Sequence, residues 1–200
     1  MKNVIFGIAA LAITATACNN AGDKTSADNT KNDTSVVNNS STKETTQPGN
    51  GDTKTDGSIK EMVSQYLQMK NALAKDNAQD AASAGKAFVV SMGNMETNSL
   101  SPEKKKTWDN LSDDAKEMAE HISTNANKIE HQREHFDMLS KDMYDMVKAF
   151  GGGQTLYQDF CPMYNDKKGA TWLSETKEIK NPYLGKKMPD CGTVKEEIKQ

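Results

Sequence analysis

The chain has 200 residues, of which 26% are charged and 35% hydrophobic, with a formal net charge of -3. From residue 58 onward, 20 Lys and Arg stand against 22 Asp and Glu, too even a balance for a nucleic-acid footprint. No G-x-S-x-G, P-loop or dinucleotide fingerprint occurs, so the chain reads as non-enzymatic, with no catalytic residues.

Met1-Lys2-Asn3 is a short basic stretch, and Val4 to Ala17 is apolar and ends in small residues. That run is too short to span a bilayer and fits an export signal. Cys18 follows Thr14-Ala15-Thr16-Ala17 directly. A cysteine after a small-residue cleavage site resembles a bacterial lipoprotein signal, in which Cys18 becomes the lipidated first residue of the mature chain. Residues 1–18 are therefore expected to be a signal peptide with its lipobox cysteine. Location on the periplasmic face of a bacterial membrane is expected through the N-terminal lipid. Residues 19–57 are rich in Asn, Thr, Ser, Asp, Lys and Gly, and Val36 and Val37 are their only large apolar residues. Such a segment buries too little to offset its ordering entropy, so it is expected to be a disordered linker.

The folded domain is expected over residues 58–200. Ile59, Met62, Val63, Tyr66, Leu67 and Leu73 recur at helical spacing, predicting a first helix that ends near Lys75. Asp76 or Asn77 offers a cap for a second, running through Ala81, Ala84, Phe88, Met92 and Met95. Ser101 followed by Pro102 is a helix start. Beyond it Trp108, Ala115, Ile122, Ile129, Phe136, Met143 and Phe150 recur every seven residues. Leu111, Met118, Leu139 and Met146 hold the matching offset positions, and Asn125 and Gln132 interrupt that second row. This stretch predicts one long helix or two, with Leu111-Ser112-Asp113-Asp114 a plausible break and Gly151-Gly152-Gly153 a firm stop. Residues 154–192 hold three of the five prolines and show no long helical period. Short strands are possible there, and residues 193–200 could form a last helical turn. The expected fold is all-α: an antiparallel bundle of about four helices with an irregular, Cys-containing C-terminal segment packed on it. A coiled-coil dimer is the alternative.

Two short segments carry the chemistry. Cys161-Pro162-Met163 and Met188-Pro189-Asp190-Cys191 each pair a thiol with a thioether, a soft ligand set that suits Cu(I) and disfavours Mg or Ca. The spacing of Cys161 and Cys191 matches neither a zinc knuckle nor a C-x-x-C redox motif. A structural disulfide across this loop would stabilise the fold by roughly 3–4 kcal/mol in the chain-entropy model. Metal binding by the reduced thiols, with Met163, Met188 and a histidine, is the rival reading. His131 and His135 are four apart and share a helix face, a way to present two imidazoles to one metal. The same spacing suits two solvated residues on a charged helix. His121 stands about 21 Å from His135 along a straight helix, so it joins them only where the helix is broken. H-E-x-x-H is absent, which removes the zincin metalloproteases.

Several blocks together resemble a known bacterial family. They are Ile129 to Phe136, Tyr157 to Met163, Gly169 to Ser174, Ile179 to Gly185 and Met188 to Gly192. In this order they resemble the domain of unknown function 3347, over about residues 58–200. The resemblance implies an exported helical domain associated with adaptor proteins of heavy-metal (copper/silver) efflux. By position it implies Cys161, Met163, Met188 and Cys191 as sulfur ligands and His131 and His135 as imidazole ligands. The expected function is a membrane-anchored periplasmic protein that binds copper, as Cu(I), in heavy-metal homeostasis, with an efflux adaptor or other envelope protein as partner and no nucleic acid. The alternative is an envelope interaction module whose Cys161 and Cys191 form a disulfide.

Overall fold

The computed structural model describes the backbone of residues 51–199 and the side chains from residue 57. The expected signal peptide, Cys18 and most of the expected linker lie outside the described residues. Four helices come first: α1 (Gly51–Ala74), α2 (Ala78–Gly93), α3 (Pro102–Thr124) and α4 (Ile129–Phe150). Helix α1 is already formed from Gly51, before the boundary expected at residue 58. Each helix packs on the next in sequence, and α1 also meets α4. No described helix is long and apolar enough to cross a membrane.

The helices start and stop where local chemistry dictates. Asn77 caps α2 by accepting the Asp80 N–H, and Ser101 caps α3 by accepting the Lys104 N–H, which satisfies end groups that the helix itself leaves open. Small residues let α2 and α3 approach closely. A Cβ on Gly85 would stand 3.0 Å from the Ala119 carbonyl oxygen, and Ala81, Ala84, Ala115 and Ala119 are buried around this seam. The heptad positions Trp108, Ala115, Ile122, Phe136 and Met143 are all in the core.

The structure corrects the expected break. Residues 111–114 are helical, and the chain instead turns at residues 125–128. Asn125 ends α3 by donating its side-chain Nδ2 to the His121 carbonyl at 2.8 Å. Gln132, fully buried, donates Nε2 to the carbonyls of Ala78 and Ile122. The two polar residues that interrupt the apolar row therefore build the α3–α4 hairpin turn.

The structure also corrects the all-α expectation. After α4 the chain forms β1 (Leu156–Cys161), β2 (Ala170–Ser174) and β3 (Thr193–Ile198), an antiparallel sheet in the order β2-β1-β3. β3 replaces the helical turn expected at the C-terminus. A local period could not show this, because β1 and β3 are distant in sequence and are held by pairing of Leu156 with Ile198 and Phe160 with Thr193. β2 packs on α4 and α1, with Trp172 and Leu173 buried.

Between β2 and β3 a strap carries Tyr183 into the core. Asn181, fully buried, accepts the N–H groups of Tyr183 and Leu184 on Oδ1 and donates Nδ2 to the Cys191 carbonyl at 2.6 Å. The Tyr183 ring stacks on Tyr164 at 4.5 Å and meets Phe136 and Trp172. Arg133, nearly buried on α4, donates to the Pro182 and Leu73 carbonyls and to Asp76. Helix α4, the end of α1 and the strap are thereby locked together.

Candidate metal centre

The turn at residues 125–128 brings the ends of α3 and α4 together, and with them all three histidines. His121 lies in the last turn of α3, and His131 and His135 lie in the first two turns of α4. The expectation that His121 stands far from His135 holds only for a straight helix. Folded back, the two rings stack with centroids 4.3 Å apart and planes 9° from parallel. His131 sets its ring edge-on to His135 at 4.5 Å, with their Nε2 atoms 3.2 Å apart. One ligand nitrogen from each of the three lies within 4.8 Å of the others.

Neighbouring groups prepare these rings to act as ligands. Glu134 Oε2 stands 3.4 Å from His131 Nδ1, and Glu117 Oε1 stands 3.7 Å from His121 Nε2. A carboxylate beside one ring nitrogen favours the proton there and leaves the lone pair of the other for a metal. His135 has no such partner. Its Nδ1 faces the Met118 thioether at 3.2 Å. Burial, and then the charges of His121 and His131, hold His135 below the usual imidazole range, so it stays neutral and ligating at neutral pH. All three rings are half-buried, which leaves an entry path from solvent. Three imidazoles with a thioether beside them make a nitrogen-rich site with a soft edge, chemistry that suits copper. His121 and Met118 are absent from the ligand set expected from sequence. The signal that could have placed them is Asn125, a polar residue in an apolar row.

The sulfur residues lie elsewhere. Cys161 ends β1, fully buried, and Cys191, half-buried, precedes β3. Their thiols are in hydrogen-bond contact and unjoined. Met163 and Met188 are 47% and 43% exposed. Among the described residues the three histidines form the only group of three or more His, Cys, Asp or Glu within common ligand reach. The six residues expected to share a site therefore divide, with His131 and His135 joining His121 and the two thiols facing each other.

No curated protein and no solved structure matches the chain. A family profile does match, over residues 62–155. The matched span contains the three histidines and Met118 and ends just before β1, so Cys161, Met163, Met188 and Cys191 fall beyond it, although the sequence resemblance extended to residue 200. The matching profile is that of the family described as protein of unknown function (DUF3347).

Proposed function

We propose that the protein is a non-catalytic metal-binding protein that captures copper as Cu(I) at the histidine end of the α3–α4 hairpin. The observation that carries this reading is the convergence of His121, His131 and His135 within 4.8 Å. Metal capture displaces any proton on the ligating nitrogens and turns three separate side chains into one chelate. The partial burial of the rings suits a site that both takes up and releases its cargo. The lipobox-like Cys18 and the export signal support a lipid-anchored protein on the periplasmic face. There it would buffer copper or pass it to an efflux adaptor.

The test is anaerobic titration of the full-length chain with Cu(I) against a bicinchoninate-type chelator. The expected result is tight Cu(I) binding by the parent chain, with one equivalent lost in His121→Ala/His131→Ala/His135→Ala. A triple variant that binds as much copper, as tightly, as the parent chain contradicts the proposal.

A second reading is an envelope interaction module clamped by a Cys161–Cys191 disulfide, favoured by the contact between the two thiols. Intact mass of freshly isolated protein, with and without reductant, tests it. A quantitative mass difference of two hydrogens supports the clamp, and identical masses reject it.

A further inference from the structure

The geometry points to a second soft-cation site, formed by Cys161 and Cys191 as a two-coordinate dithiolate and physically separate from the histidine cluster. It rests on the metal-binding reading above only for the choice of cation, because none of its ligands belongs to the histidine site. The pairing register places it: Phe160 opposes Thr193 in the β1–β3 ladder, so the next residue of β1 and the residues just before β3 come side by side. Gly192 fits there because it has no side chain. A Cβ on it would stand 2.9 Å from Trp172 Cη2 and 3.3 Å from the Phe160 carbonyl oxygen. The two thiols touch across this junction.

The frame around the pair is built and rigid. Asn181 holds the Cys191 carbonyl and takes the Pro189 carbonyl on its own N–H at 2.9 Å, while the Cys191 N–H donates to the Met188 carbonyl at 3.3 Å. The Met163 N–H bonds the Cys191 sulfur, which stabilises a thiolate there. Met163 and Met188 expose their thioethers on either side in sequence. Such flexible, polarizable side chains suit a role in handing a soft cation to the pair, whereas a disulfide has no use for them.

Charge and protons balance in the binding step. Two neutral thiols and one monovalent cation give an anionic bis-thiolate complex and two released protons, with no change of oxidation state. A thiophilic cation binds the pair by displacing both thiol protons. Two sulfur ligands select Cu(I) or Ag(I) over Zn(II), which takes four ligands.

The experiment is anaerobic Cu(I) titration of the reduced full-length chain in three forms: parent, Cys191→Ser, and the triple histidine-to-alanine variant. The parent is expected to bind two equivalents and each variant one. Cys191 is the cysteine changed because it is only half-buried, and circular dichroism confirms its fold. In the histidine variant, one equivalent of Cu(I) should protect both domain thiols from a thiol-reactive chromogen. Loss of one equivalent in the histidine variant alone overturns the dithiolate site and leaves the proposed function standing. Loss in Cys191→Ser alone supports the dithiolate site and removes the histidine one. Thiols that remain fully reactive in the loaded histidine variant also overturn it, as does a quantitative disulfide in freshly isolated protein.

Discussion

The α3–α4 hairpin and the C-terminal sheet solve the same problem, bringing ligands together, by opposite means. In the hairpin, three histidines within fifteen residues of one another converge because a four-residue turn folds one helix back on the next. In the sheet, two cysteines thirty positions apart meet because β1 pairs with β3 and a strap of hydrogen bonds fixes the residue between. The hairpin is local and periodic. The sheet depends on long-range pairing and on a few buried polar residues. Loss of one of those polar residues should therefore damage the thiol region far more than the histidine end.

The strongest way to break that contrast is Tyr183→Ala. The ring is fully buried among Tyr164, Phe136 and Trp172, and its hydroxyl donates to the Thr171 carbonyl. Truncating a large core aromatic costs about 3–5 kcal/mol. Urea unfolding should show this loss, with hydrogen exchange rising first in the strap and β2. Protection lost first in α3 would contradict the account. A smaller effect is expected of Arg133→Met, which keeps much of the volume but leaves the Pro182 carbonyl without its donor and the Leu73 carbonyl with the Asp76 N–H alone. The orphaned carbonyl costs about 1–3 kcal/mol, read as a lower denaturant midpoint.

Asp159 sharpens the comparison from the interior of the sheet. It is fully buried on β1, with the Ser174 hydroxyl and the Trp172 indole as the polar groups facing its carboxylate. Burial raises it to about 6, against the opposing charge of Lys70. Because its folded value lies above the ordinary carboxylate value, the folded state holds the extra proton. The stability tied to that proton is fully present below about pH 4 and is lost as pH rises through about 6. Asp159→Asn should remove this decline and raise stability at pH 7 by on the order of 1–2 kcal/mol. Denaturant midpoints between pH 4 and 7 that keep the parent slope contradict it. The smallest expected effect is that of Asn125→Ala, which removes the side-chain bond to the His121 carbonyl and costs about 1 kcal/mol. It should also loosen His121 and weaken Cu(I) binding, whereas Asp159→Asn should leave binding unchanged.

The legibility of the two regions differs for the same reason. The heptad row of Trp108, Ile122, Phe136 and Met143 reports a face that must be buried, so the helices and their core could be read from spacing. Asn125 and Gln132 were visible as interruptions, but their meaning depends on the carbonyls of His121, Ala78 and Ile122 that they satisfy. His131 and His135 were legible as an i, i+4 pair. His121 was not, because its position depends on where the helix ends. The sheet left a weaker trace, since β1, β2 and β3 are five or six residues each and their partners lie far along the chain. The Asn181-Pro182-Tyr183 block stood out in sequence, but the partners it holds did not. Its role is structural, as the fixture that seats Tyr183 in the core and Cys191 beside Cys161.

The central claim is that the hairpin turn makes one metal site out of three histidines, and His121 is its most exposed point. An i, i+4 pair on α4 alone would bind metal with no help from α3. The decisive measurement is the Cu(I) affinity of His121→Ala in a background carrying Cys191→Ser, set against that background alone. The account predicts a loss of at least about tenfold, or about 1.4 kcal/mol, with the fold intact by circular dichroism. An unchanged affinity would contradict it and reduce the centre to His131 and His135.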